Sequence, residues 1–219
     1  RLWYPTVQQT TLTNKAPCSN GIVTMQRCDM IGDSRGGNGF VTPFGDANSD
    51  VLITDSNSIY GQMVSTTTKS ITIQRCRIDR AGKTTAFFGG FRLGTTNGNL
   101  LVTDCVFQNE PESVLRIAGT TSGTNIFRNN TFINCKGLYH GVNSITITST
   151  NNVFDPNTTA VWVSGTSLTW AGGYNQIAYG VSLTSYTWQA GDANAAPAWD
   201  SVYKPTKDGN IYRNGITYT

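Results

Sequence analysis

The chain is poor in charge. Of its 219 residues only 13% are Asp, Glu, Lys or Arg, and the formal net charge is +3. That balance, with the cations scattered, gives no footprint for a nucleic-acid partner. There is one histidine, His140, and no Cys-x-x-Cys, so the ligand spacings of a zinc site are missing. No cofactor and no bound metal are expected. No apolar stretch reaches the ~20 residues of a membrane-spanning helix. No segment reads as a strong amphipathic helix. The start, "RLWYPTVQQT", lacks a basic region followed by an apolar one, so no signal peptide is read there. Arg1 in place of a start methionine suggests a processed or excised piece.

Thr, Ser, Asn and Gly are abundant instead. This is the composition of a turn-rich β protein placed outside the cell, on a cell surface or on a virion. The length suits one domain. The five cysteines are an odd number, so at least one is unpaired within the chain. Asn129 and Asn157 stand in glycosylation sequons, which matter only in a eukaryotic secretory host.

One pattern recurs. "VTMQRCDM" (23–30), "VLITDSNSI" (51–59), "ITIQRCRI" (71–78), "LLVTDCVF" (100–107), "NIFRNNTF" (125–132) and "ITITSTNNVF" (145–154) align, with "LTWAGGYNQI" (168–177) as a degraded seventh copy. The reference position is held by Cys28, Ser56, Cys76, Cys105, Asn130 and Thr150, at intervals of 28, 20, 29, 25 and 20 residues. A variable period of this size predicts a solenoid whose loops differ in length. Within a copy, Ile71 and Ile73 alternate with polar residues, as in a half-buried strand. Gln74 and Arg75 then shift the phase, so that Cys76 and Ile78 return to the inner face. A strand, a two-residue corner and a second strand describe two sides of one coil.

The repeat resembles the right-handed parallel β-helix of pectate lyases, polygalacturonases and phage tailspikes, over about residues 20–178. The resemblance implies an all-β solenoid of about seven coils, a count good to one either way. It implies little about a reaction. The expected organisation is a lead-in over 1–20, the β-helix over 21–177, and a C-terminal cap and hairpin over 178–219. "SLTSYTWQAGDAN" and "AWDSVYKPTKDG" resemble the C-terminal caps of secreted bacterial β-helix repeat proteins, and Asn214-Gly215 signals a hairpin turn.

Stacking makes ladders of equivalent residues. The corner ladder is Cys28, Ser56, Cys76, Cys105, Asn130 and Thr150; one place earlier stand Arg27, Asp55, Arg75, Asp104, Asn129 and Ser149. The alternating signs of the first four favour pairing between coils and oppose a slip of register. Cys76 and Cys105 fall on adjacent coils and are read as stacked free thiols, since side-by-side stacking rarely meets disulfide geometry. Cys18 and Cys135 lie outside that ladder.

In the enzymes the chain resembles, substrate lies along the third sheet. Its strands here are expected at "GFRLG" (90–94), "VLRIAG" (114–119), "GLYHG" (137–141) and "AVWVSG" (160–165). Aligning their centres gives an outward stripe of Arg92, Arg116, Tyr139 and Trp162, with His140 inward. Guanidinium groups bind carboxylates or sulfates in bidentate fashion, and Tyr and Trp offer flat faces for sugar rings. The leading expectation is therefore a polysaccharide-binding protein, its ligand a partly acidic polymer. One alternative is a polysaccharide lyase or glycoside hydrolase with Glu110 and Glu112 as its carboxylates, although the aspartate clusters of those families are missing. Another is a structural protein, a viral spike or filament subunit assembling through an uncapped N-terminal coil. The residue types leave all three open.

Overall fold

A computed structural model describes residues 2–3, 21–31, 39–41, 50–59, 61–65, 69–79, 91–93, 99–110, 115–117, 123–135, 139–141, 145–155, 168–178 and 186–194. Among them every regular element is a strand, and the strands form sheets of seven, eight and five. All pairings between strands are parallel, with stacking order following chain order in each sheet. Successive turns of chain visit the sheets in rotation, which fits a β-solenoid.

The seven-stranded sheet runs from Ile22–Gln26 through Asp50–Thr54, Ser70–Gln74, Asn99–Thr103, Asn125–Arg128 and Ile145–Thr150 to Leu168–Gly173. Its alternation is the one the repeat predicts: Ile71 and Ile73 are buried, as are Leu100 and Val102 on the next strand. The eight-stranded sheet begins at Leu2–Trp3 and Asp29–Ile31 and ends at Val153–Phe154 and Gln176–Ile177. One column of it carries Ile78, Phe107, Phe132, Phe154 and Ile177 in register. Phe132 stacks between Phe107 and Phe154, with centroid separations of 5.2 and 5.0 Å. Parallel stacking puts like on like every ~4.8 Å, so a run of phenylalanines at one position becomes a continuous column of rings.

The corner between these two sheets has a left-handed residue on each turn: Arg27, Asp55, Arg75, Asp104, Asn129, Asn151 and Tyr174, with φ between 52° and 58°. Asn and Asp tolerate this conformation better than most residues. Arg27, Arg75 and Tyr174 adopt it because the strands on either side fix the chain. The next residue points inward and carries a second ladder. Cys28 N donates to Ser56 Oγ (3.2 Å), Cys76 N to Cys105 Sγ (3.4 Å) and Cys105 N to Asn130 Oδ1 (3.0 Å). Asn130 N donates to Asn152 Oδ1 (2.9 Å) and Asn152 N to Asn175 Oδ1 (3.1 Å). The Ser56 amide donates to the Cys76 thiol, so the chain of bonds is unbroken from Cys28 to Asn175. Each buried corner N–H is satisfied by the side chain of the following turn.

This corrects the sequence alignment at its sixth copy. The sixth corner residue is Asn152, not Thr150, and its exposed companion is Asn151, not Ser149. In the seventh copy the pair is Tyr174 and Asn175. The cause is the sixth strand, whose Ile147 pairs with Asn125, so that Ile145 and Thr146 extend beyond that neighbour. A shift of two residues keeps the same side chains facing inward, so hydrophobic alternation does not detect it.

The outer ladder pairs in part as its charges predict, with one ion pair between neighbouring turns. Arg75 grips Asp55 through Nε and Nη2, at 2.6 and 2.9 Å, and Asn129 Nδ2 donates to Asp104 at 3.0 Å. The Arg75 guanidinium holds the Asp55 carboxyl at about 2, below its ordinary 3.8. A carboxyl depressed by folding contributes stability above its unfolded value, and that contribution fades as pH falls from near 4 towards 2. Carboxyl-detected NMR should give Asp55 a midpoint near 2, returning towards 3.8 in Arg75→Ala. An unmoved midpoint in that variant would show the ion pair to be absent in solution.

Cys28, Cys76, Cys105 and Cys135 are free thiols. Cys105 is raised by burial, while its hydrogen bond to Cys76 lowers Cys76, which makes Cys76 the more readily ionised of the two. Cys18, the hairpin expected at 211–218 and most of the lead-in lie outside the described residues.

Candidate functional site: the five-stranded sheet

The third sheet stacks Gly39–Val41, Gly61–Ser65, Phe91–Leu93, Leu115–Ile117 and Tyr139–Gly141. Three of these are the strands expected from "GFRLG", "VLRIAG" and "GLYHG". "AVWVSG", with Trp162, lies outside the described residues. Register places Val64, Arg92, Arg116 and His140 in one column. The neighbouring column holds Met63, Phe91, Leu115 and Tyr139.

Arg92 and Arg116 are thus brought together as expected, on adjacent strands ~4.8 Å apart. Tyr139 is not their continuation. It pairs with Leu115, and His140 takes the place opposite Arg116. The sequence reading treated Leu138, Tyr139 and His140 as one alternating triplet, but the strand begins at Tyr139. Three residues are too few for alternation to fix a phase, and the neighbouring strand decides it. His140 is the member of the column that sequence reasoning set aside; the chain's only histidine, one place from an aromatic in "GLYHG", was its signal.

Of the two carboxylates expected for catalysis, only Glu110 is among the described residues; Glu112 lies outside them. Glu110 is 3% exposed and follows a left-handed residue, Asn109, at a second corner. There Asn109 Nδ2 donates to Asp79 (3.0 Å) and Asn134 Nδ2 to Asn109 (2.9 Å). The Glu110 amide donates to the Cys135 thiol of the next turn, and burial pushes that thiol up. This corner repeats the logic of the first one, with Glu110 and Cys135 as its buried members. A carboxylate so enclosed is not presented to a polymer on the outer surface.

A third polar cluster sits where the seventh turn meets residues 186–194. Asp192 accepts from Asn175 N (2.8 Å), Asn175 Nδ2 (3.2 Å), Tyr186 Oη (2.7 Å) and Gln189 N (2.6 Å). Burial and the Asp192 carboxylate both raise the Tyr186 hydroxyl. With every Asp192 contact directed at holding the last turn, the cluster is structural. Among the described residues no three His, Cys, Asp or Glu side chains converge as metal ligands, and no helix is long and apolar enough to cross a membrane.

Fold and register together define the class: an all-β chain of three parallel sheets with an arginine pair on adjacent strands of the smallest sheet. Comparison with protein-family models, curated proteins and solved structures gives no match.

Proposed function

We propose that the protein is a right-handed parallel β-helix of about seven turns, closed at its C-terminal side by the segment around Asp192. We assign it to the outside of a cell or to a cell or virion surface, where it binds an acidic polysaccharide along the five-stranded sheet. The observation that carries this reading is the register that makes Arg92 and Arg116 neighbours, with His140 next in line. A linear polyanion presents carboxylates or sulfates at regular intervals, and a column of cations on parallel strands meets them at regular intervals in return. Arginine suits the task because its planar fork takes both oxygens of a carboxylate. Tyr139, beside the column, and Trp162 supply apolar faces for sugar rings.

Retention on immobilised polygalacturonate tests this. The wild-type protein should be held at low salt and released as salt screens the contacts. The Arg92→Ala/Arg116→Ala double variant should lose at least about tenfold in affinity, given two charge-assisted contacts at ~1.5–3 kcal/mol each. Its circular dichroism should be unchanged. Equal retention of the double variant, or no retention on any acidic polysaccharide, would overturn the reading. Shortened or unsaturated products in the eluate would show an enzyme acting on the polymer it binds.

A further inference from the structure

Cys76 and Cys105 hold successive places in the corner ladder, on turns whose strands pair in register. Their sulfurs have the same surroundings. Cys76 Sγ lies 3.3 Å from Gln74 O of its own strand and 3.6 Å from Ile53 O of the strand before. Cys105 Sγ lies 3.1 Å from Thr103 O and 3.7 Å from Ile73 O. Gln74 pairs with Thr103 and Ile53 with Ile73, so each contact of one thiol is repeated by the other one turn on. Side chains related in this way are separated by the strand spacing, ~4.8 Å, and the two thiols reach each other. Cys28 adjoins Ser56 and Cys135 adjoins Glu110, so this is the one pair of neighbouring thiols among the described residues.

That separation is wrong for a disulfide and right for a bridging ion. A disulfide needs its sulfurs ~2.05 Å apart. An ion midway between two thiolates, at the ~2.3 Å of a zinc–sulfur bond, spans ~4.6 Å. Such an ion must be satisfied by two sulfurs in line, because among the described residues no third His, Cys, Asp or Glu converges with them. Zinc and iron–sulfur clusters take four ligands. Copper(I) is the soft, thiophilic ion that two thiolates can hold. The zinc spacings missing from the sequence have no bearing on a site of this kind.

We propose that Cys76 and Cys105 bind one copper(I) ion between them, joining two successive turns at their corner. Both S–H bonds break, two copper–sulfur bonds form and two protons pass to solvent, with copper unchanged in oxidation state. The bridged pair carries one negative charge. Each sulfur already accepts a main-chain N–H, Cys76 from Ser56 and Cys105 from Cys76, and bonds of that kind favour a thiolate. The neighbouring charges cancel: Arg75 and Arg77 flank Cys76, while Asp55 accepts from Arg75 and Asp104 flanks Cys105. Each thiol stands one residue from an exposed corner side chain, Arg75 or Asp104, so a local opening of the corner admits the ion. The site is independent of the five-stranded sheet and of any polysaccharide bound there.

The test is a titration of the whole reduced protein, free of oxygen, against the coloured copper(I) complex of bicinchoninate. The wild-type protein should withdraw one equivalent of copper. Cys76→Ser and Cys105→Ser should each withdraw none, whereas Cys18→Ser, Cys28→Ser and Cys135→Ser should still withdraw one. Serine is already a member of the ladder at Ser56, where its hydroxyl accepts the Cys28 N–H, so either pair variant keeps an acceptor at the corner. Copper should raise the thermal midpoint of the wild type and leave that of Cys105→Ser unmoved. X-ray absorption at the copper edge should show two sulfur neighbours. The proposal is overturned if no copper is withdrawn, or if a folded Cys76→Ser or Cys105→Ser withdraws as much as the wild type. Loss of copper in any of the other three variants overturns it too, as does a copper with one sulfur neighbour or more than two. Should the pair variants fail to fold, the absorption spectrum of the wild type decides.

Discussion

Replacing Asn152 with leucine should cost about 2–5 kcal/mol of folding stability. The Asn152 side chain is fully buried, and its two ends work in opposite directions. Oδ1 accepts from Asn130 N at 2.9 Å and from Asn130 Nδ2 at 3.0 Å. Nδ2 donates to Phe127 O and to Ser149 Oγ, both at 2.9 Å. Leucine fills the volume but answers none of these groups. The Asn130 N–H is then left in the interior without an acceptor, and an orphaned buried donor costs about 1–3 kcal/mol by itself. The Phe127 carbonyl and the Ser149 hydroxyl lose a partner as well. Urea denaturation should show a lower midpoint at an unchanged slope. A loss under about 0.5 kcal/mol would show that the amide ladder does not carry the corner.

The second large effect is expected at Phe132. Its ring is 1% exposed and lies between two others at 5.2 and 5.0 Å, nearly parallel to both. Phe132→Ala opens the middle of the column, so Phe107 and Phe154 each lose a stacked face. Their backbones are held by strands on both sides and cannot close the gap. Such a substitution costs about 3–5 kcal/mol, while Phe132→Leu, which keeps most of the volume, should cost about half as much. Thermal unfolding of the two variants checks the order. Equal losses would mean that volume in this column matters less than apolar character.

Much of this architecture was legible in the sequence, and the limit has a physical form. Cys28, Ser56, Cys76, Cys105 and Asn130 were placed at their corners because small residues recur after two polar ones. The alternation of Arg27, Asp55, Arg75 and Asp104 was visible for the same reason. Thr150 was taken as the sixth corner because "ITIT" repeats the apolar period of "ITIQ", and a two-residue slip leaves that period intact. The left-handed backbone was the better marker. Asn129-Asn130 and Asn151-Asn152 share a chemistry that hydrophobicity does not register. Even so, Tyr174 shows that the conformation belongs to the fold rather than to the residue type. At the candidate site the Arg92–Arg116 pairing followed from the apolar residues flanking each arginine. His140 was missed because "GLYHG" offers two phases and only the neighbouring strand distinguishes them.

The direction of the corner ladder also bears on how the chain is made. Synthesis delivers the N-terminal turns first. As each turn leaves the ribosome its corner N–H has no acceptor, because the acceptor belongs to the turn still to come. Cys76 waits for Cys105, Cys105 for Asn130, and Asn130 for Asn152. A nascent chain therefore carries one unmet donor at its growing tip throughout, passed forward a turn at a time. Only when Asp192 emerges is the account closed.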